Sequence, residues 1–258
     1  MIFAIDVGNT NIVLGCIQNG TILFTERMET DLRRTELEYA IAFRSVMELH
    51  HISPSQLEGG IISSVVPPLV NVLRQALAKL ADIEMMVVTH ELETGFSLKM
   101  DNPAAVGSDL IVDAAAALEL YGAPVTVIDM GTATTLSVVD KSGSYVSTII
   151  MPGARISLDS LVSGTAQLPK IGLSVPEHVI GTNTVDCMRS GVLYGSAAML
   201  DGMLDRIFDA LGYETKVVAT GGLAYAVIPH CRHSIILNDE LLLQGLQLIY
   251  EKNRRERA

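Results

Sequence analysis

Three short runs of apolar or alternating character open the chain: Ile2 to Val7, Asn11 to Ile17 and Thr21 to Met28. Gly8-Asn9-Thr10 separates the first two, and Asn19-Gly20, a strong hairpin signal, separates the last two. The pattern predicts a β-meander. From about Thr35 to His51 the period lengthens, with Leu37, Ile41, Val46 and Leu49 near 3.6-residue spacing, which predicts a helix stopped by Ser53-Pro54. Gly60 to Val66 then reads as a strand, Pro68 to Ala81 as a helix, Glu84 to Thr89 as a strand and Ala104 to Leu120 as an Ala-rich helix.

The second half starts in the same way. Val125 to Met130 is a near-continuous apolar run of the kind buried on both faces of a mostly parallel sheet. Thr134 to Val139 and Tyr145 to Ile150 follow, split by the turn Asp140-Lys141-Ser142-Gly143. A loop-rich stretch from Pro152 to Asn183 leads to a long helix over about Thr184 to Leu211. A strand Lys216 to Ala219, a short helix after Gly222 and a last helix from about Asn238 complete the order.

Residues recur as well as elements. The first strand ends Ile5-Asp6-Val7-Gly8-Asn9-Thr10, and the strand opening the second half ends Ile128-Asp129-Met130-Gly131-Thr132-Ala133-Thr134. Asp129 stands 123 positions after Asp6, close to half of the 258 residues. At roughly 150 residues per domain, that length accommodates two lobes. We expect a duplicated α/β fold with lobes at residues 1–121 and 122–258, each a mixed sheet flanked by helices, and a cleft between them.

Composition narrows the function. Hydrophobic residues at 49% and charged residues at 18% describe a folded globular chain. The 29 acidic against 18 basic residues leave a net charge of -11, opposite in sign to the surface that holds nucleic acid, so no nucleic-acid partner is expected. Lys252, Arg254, Arg255 and Arg257 read as helix-end charge and a solvated tail. Cys16, Cys187 and Cys231 are odd in number and far apart, which indicates neither a disulfide framework nor a zinc cage and suits a reducing, cytoplasmic setting. The opening residues lack the basic region of a secretory signal. No run approaches the ~18 apolar residues of a membrane span, so no membrane partner is expected.

The two glycine turns carry the chemistry. An Asp at a strand end, followed two residues later by Gly, puts a carboxylate beside backbone that a ligand can approach closely, since Gly has no Cβ. Asn9, Thr10 and Asn11, and Thr132, Thr134 and Thr135, add polar groups around it. Alone, either turn is equally a polar hairpin. As a facing pair they suit a polyphosphate, with carboxylates toward the metal ions that neutralise it. No Gly-Lys pair, no Gly-x-Gly-x-x-Gly, no His-Glu-x-x-His and no Gly-x-Ser-x-Gly occurs, and His50-His51 reads as a surface pair.

Asp6-Val7-Gly8-Asn9-Thr10-Asn11 together with Asp129-Met130-Gly131-Thr132-Ala133-Thr134-Thr135 resembles the type III pantothenate kinases, of the acetate and sugar kinase/Hsp70/actin superfamily. Asn102-Pro103-x-x-Val106-Gly107-Ser108-Asp109, Met151-Pro152-Gly153, Thr165-Ala166-Gln167-Leu168-Pro169, Gly181-x-Asn183-Thr184 and Ala219-Thr220-Gly221-Gly222 are similar to the family's further motifs, in order along the chain. The resemblance implies two actin-like, ribonuclease H-like lobes and transfer of the ATP γ-phosphoryl group to pantothenate, giving 4'-phosphopantothenate in coenzyme A synthesis. It implies that Asp6, Val7, Gly8, Asn9, Thr10, Asn11, Ile12 and Val13 bind ATP phosphates, and that Thr132 also contacts ATP. It implies a monovalent cation, potassium or ammonium, at Asp129, in addition to the magnesium that accompanies ATP. Pantothenate is then held by Met100, Gly107, Ser108, Asp109, Leu110 and Thr184, with Asp109 the catalytic base. A cytoplasmic homodimer is implied too.

From the residues alone, Asp109, near the start of a helix after Gly107-Ser108, suits a carboxylate that accepts a hydroxyl proton; the alternatives are a first-turn acid favoured by the helix dipole for Asp109, a helix cap for Thr184 and a structural group for Asp113, one turn beyond Asp109. Two departures fall on the acceptor side: Leu110 stands where the family has Arg, and Met100 where a Tyr is often found. Losing the Arg removes a charged fork suited to a carboxylate. A kinase of the same fold acting on another small hydroxy acceptor, and a non-catalytic nucleotide-binding paralogue, therefore stay open at this stage.

Overall fold

The computed structural model describes residues 1–255; Arg257 of the basic terminal cluster lies outside them. The chain divides into two compact units, Met1–Glu119 joined by the segment from Glu240 onward, and Leu120–Asp239.

In the first unit β1 (Ile2–Val7), β2 (Asn11–Gln18) and β3 (Thr21–Glu29) form the expected meander. Then come α1 (Glu36–Leu49), β4 (Gly59–Ser64), α2 (Pro67–Ala78), β5 (Met85–Val87), β6 (Ser97–Leu98) and α3 (Ser108–Tyr121). The sheet runs in the order β3-β2-β1-β4-β5, with β1 antiparallel to β2 and parallel to β4.

Thr35 and Glu38 close a capping box at the start of α1. The buried face of this helix differs from the expected one. Tyr39, Ala40, Phe43 and Met47 are buried, while Leu37, Ile41 and Leu49 are exposed. The aromatic rings and Met47, four residues apart, form the broader apolar stripe, and they fill the space over β1 that the aliphatic positions leave to solvent. The start of α3 also differs, at Ser108 instead of Ala104, because Asn102-Pro103 opens a separate 3-10 turn over Pro103–Ala105.

The second unit contains β7 (Val125–Met130), β8 (Ala133–Val139), β9 (Ser144–Pro152), α4 (Ala154–Ser163), α5 (Thr184–Leu211), β10 (Lys216–Thr220), α6 (Ala224–Val227) and β11 (Ile236–Leu237). Its strands follow the order β11-β10-β7-β8-β9. The central strand β7 is antiparallel to β8 and parallel to β10, as β1 is to β2 and β4. Helix α4 lies in the stretch expected to be loop. Ala154, Leu158 and Val162 supply its one apolar stripe, packed against Met188 and Val192 of α5, and the Gly, Pro and Ser residues after it hide so short a signal. The last helix, α7 (Leu241–Arg255), packs on β1 and β4 of the first unit.

Each sheet carries its core by alternation. Phe3, Ile5 and Val7 of β1 join Tyr39, Phe43, Leu69 and Leu73 of α1 and α2, whereas Ile2 and Ala4 join Ile111 and Val112 of α3 and Leu243 and Leu246 of α7. In the second unit Ile128, Met130, Leu136 and Val138 pack on Leu200 and Leu204 of α5. Among the described residues no helix is long and apolar enough to cross a membrane.

Candidate functional site

Asp6 follows Ile2 and Ala4 in the alternation of β1, so its side chain lies on the face covered by α3 and α7, where it is buried. Its register partner on β4 is Ser63, fully buried. Gly8-Asn9-Thr10-Asn11 link the last ladder pair, Val7 and Ile12. The Gly8 N–H donates to the Asn11 carbonyl at 3.0 Å, and a Cβ on Gly8 would stand 3.1 Å from that oxygen, so the tight closure favours glycine. Thr30, just past β3, braces the turn from behind: its N–H donates to the Thr10 carbonyl at 3.0 Å and its hydroxyl to the Gly8 carbonyl at 2.7 Å. Asn9, Thr10 and Asn11 are exposed, Val7 and Ile12 are core, and Val13 is half-buried. Asn9 to Asn11 can thus offer a ligand side chains and backbone, whereas Val7 and Ile12 are closed off in the core.

The acceptor loop ends on α3. Ser108 Oγ accepts the Ser64 N–H at 2.9 Å and lies 3.0 Å from Ser63 Oγ, which moors the helix start to the end of β4. Asp109, next along, is half-buried, and its Oδ1 accepts the Leu110 N–H at 2.9 Å. A Cβ on Gly107 would stand 2.5 Å from that same Oδ1, so glycine leaves the carboxylate its place. Burial pushes the Asp109 carboxyl pKa up from its ordinary value, against the Leu110 hydrogen bond, which favours the charged form. Gly107, Leu110 and Met100 are half-buried, and Asp113 is buried inside α3.

In the second unit Gly131-Thr132-Ala133 join Met130 to Thr134, one residue fewer than in the first turn. Gly153 backs this turn so closely that a Cβ there would overlap the Thr132 carbonyl oxygen. Thr132 is exposed and Asp129 half-buried. Asp129 pairs with Thr135 on β8 and with Thr220 on β10, so the three side chains share the face turned away from the α5 core. Gly221, at φ +96°, approaches Asp129 so that a Cβ would lie 2.6 Å from Oδ1. Thr184 is the first residue of α5 and exposed; Asn183, not Thr184, caps that helix, accepting the Asp186 N–H at 3.0 Å.

Among the described residues no group of three or more His, Cys, Asp or Glu could hold a metal ion. A cation would therefore take single carboxylates with hydroxyls and carbonyls, the oxygen ligands that hard cations prefer. Thr135 fits such a ligand set: its hydroxyl is buried beside Asp129 and has no hydrogen-bond partner among the described residues. A surface depression at the ends of α1 and α2, lined by Arg44, His51 and Lys79 among others, shares no residue with either turn.

Several contributors escape sequence reasoning. Thr30 braces the first turn only because β2 and β3 pair Asn11 with Glu29, and Ser63 matters only through the parallel register with β1. Gly153 and Gly221 stand inside motifs noted in the sequence, but their close approaches arise only in the folded chain.

The family model for type III pantothenate kinase matches residues 2–206. The type III pantothenate kinase of Halalkalibacterium halodurans is 42% identical over 253 residues, covering 98% of this chain and 100% of that protein. Among solved structures, component A of (R)-2-hydroxyglutaryl-CoA dehydratase from Acidaminococcus fermentans superposes with a TM-score of 0.59 at 16% identity over 100% of both chains. The ethanolamine utilization protein EutJ of Carboxydothermus hydrogenoformans does so at 0.54 and 19% identity, over 96% of this chain and 89% of that one. These two show a shared fold.

Proposed function

The chain belongs to the type III pantothenate kinase family, and from that membership we infer that it transfers the γ-phosphoryl group of ATP to the hydroxyl of pantothenate, giving 4'-phosphopantothenate for coenzyme A biosynthesis. The observation that carries this is the family match, whose span of residues 2–206 contains all the candidate site residues from Asp6 to Thr184.

Phosphoryl transfer leaves a protein mainly positioning and charge stabilisation. In the proposed division of labour, the segment Asp6 to Val13 holds the ATP phosphates, with Asn9, Thr10 and Asn11 exposed on a turn that Thr30 keeps rigid. Thr132 adds a contact to ATP. Magnesium bound with ATP supplies neutralising charge, and Asp6 is the carboxylate of the first turn suited to it. Asp129, with the buried Thr135 hydroxyl beside it, would hold potassium or ammonium, which supplies further positive charge.

Asp109 is the base that takes the proton of the pantothenate hydroxyl. Its raised pKa brings it closer to the working pH, where a base accepts a proton more readily while still ionised. Met100, Gly107, Ser108, Leu110 and Thr184 form the acceptor's surroundings, with Leu110 giving an apolar contact where the family has a charged one. The enzyme is proposed to act as a cytoplasmic homodimer, which sedimentation of the purified protein checks.

The deciding experiment is ATP-dependent phosphorylation of pantothenate in ammonium or potassium against sodium buffer. Turnover that requires the former ions is the expected result. Turnover with another hydroxy acid and none with pantothenate would overturn the acceptor assignment.

A further inference from the structure

We propose that Ser63 and Ser108 act together as a positioning pair that sets the Asp109 carboxylate relative to the first phosphate turn; the role rests on the kinase reading above. Ser63 is fully buried on β4. Its neighbours on that face are Ala4 and Ile61, of the apolar core under α3 and α7, and the buried Asp6 level with it on β1. A hydroxyl in such surroundings costs stability unless it is hydrogen-bonded, and packing alone would be served by an apolar side chain. Ser63 has a partner in Ser108 Oγ at 3.0 Å.

Hydrogen-bond accounting leaves room for this contact alongside a second one. Ser108 Oγ already accepts the Ser64 N–H at 2.9 Å. The N–H of the last β4 residue thus reaches the first residue of α3, and the Ser108 hydroxyl, with one proton and two lone pairs, keeps the capacity to pair with Ser63. Two adjacent residues of one strand therefore grip one side chain of the helix. β4 is the parallel neighbour of β1, with Ser63 level with Asp6. The path from the phosphate-turn carboxylate to the proposed base is then one ladder step, one hydroxyl pair and one peptide bond.

Asp109 is held on both sides. Gly107 leaves room for Oδ1, which rests on the Leu110 N–H. Ser108 fixes the backbone from which the carboxylate springs. Where catalysis consists mainly of placement, a displacement of about 1 Å costs up to about 100-fold in rate. Neither serine has to touch a reacting atom to have such an effect.

The test uses Ser63→Ala, Ser108→Ala, the double variant and Ser108→Thr, with kcat and KM for ATP and for pantothenate measured by ADP release, and melting temperature measured in parallel. We expect each alanine variant to lose roughly tenfold or more in kcat, with KM for ATP unchanged within about twofold, since the turn itself is intact. The double variant should be no slower than the slower single variant, because the two hydroxyls form one unit. Ser108→Thr, which keeps the hydroxyl, should recover most of the rate. Losses that multiply, or lowered melting temperatures with kcat per folded molecule unchanged, would overturn the pair. An unmodified enzyme that phosphorylates neither pantothenate nor another hydroxy acid in the same series would overturn the kinase reading and the pair with it.

Discussion

Gly221→Ala probes the packing around Asp129 most directly. At φ +96° the backbone of Gly221 lies in the left-handed region, where an L side chain costs ~1–2 kcal/mol. The added Cβ would also meet Asp129 Oδ1, Met130 C and Met130 N, each at 2.6 Å. Two of these atoms are backbone of β7, the central strand of its sheet, so relief requires moving the strand or turning the carboxylate; forced overpacking of this kind costs ~1–3 kcal/mol. The sum is ~2–5 kcal/mol. Gly143→Ala is the control: its φ is +73° but nothing lies within 4 Å of the added Cβ, so only the backbone term of ~1–2 kcal/mol remains. Urea unfolding followed by circular dichroism measures both, and stimulation by potassium over sodium reports on Asp129. Gly221→Ala should be the less stable variant and should blunt the cation response, while Gly143→Ala keeps it. Equal stability of the two variants would show that the close approach to Asp129 carries no steric cost and refute the argument.

Asp109→Asn should lower kcat by ~10²–10⁴-fold, the usual worth of a positioned base, with ATP affinity by calorimetry unchanged; a loss under tenfold would remove Asp109 as base. Burial raises the folded-state pKa of Asp109 above its unfolded value, so the ionised carboxylate opposes folding at neutral pH, and the Asn variant should unfold at the same or a higher temperature. By the same sign, kcat should fall as pH drops through a midpoint above the ordinary Asp value of about 3.9, a limb read from a pH–rate profile and absent in Asp109→Asn. Leu110→Arg should lower KM for pantothenate several-fold by restoring a charged fork for its carboxylate, with KM for ATP unchanged. Asn183→Ala should cost ~1 kcal/mol by removing the α5 cap, read from the urea midpoint.

How much of this is legible in the sequence follows from the range of each interaction. The meanders, the Asn19-Gly20 turn and the recurrence of Asp-x-Gly are local signals, and they specify the central strands β1 and β7 almost to the residue. The buried face of α1 is not legible from the aliphatic spacing, because the choice between Leu37, Ile41 and Leu49 and Tyr39, Phe43 and Met47 depends on the shape of the sheet beneath. Helix α4 escapes because ten residues with one stripe sit next to a long Gly- and Pro-bearing stretch. At the candidate site the turns are readable, but their supports are not. Thr30, Ser63 and Thr135 acquire meaning only through strand register, which pairs residues 22, 57 and 6 positions away from Gly8, Asp6 and Asp129.

The excursion of the chain through Leu120–Asp239 before α7 rejoins β1 and β4 bears on synthesis. Until Leu243, Leu246 and Ile249 emerge from the ribosome, Ile2, Ala4 and Ile61 lack part of their cover. The intervening 120 residues take ~6–24 s at ordinary elongation rates. The second unit, continuous in sequence, can complete its own core within that interval. The first unit, although translated earlier, must wait with one sheet face partly bare, and a ribosome stalled after Asp239 leaves it without the helix that covers Ile2 and Ala4.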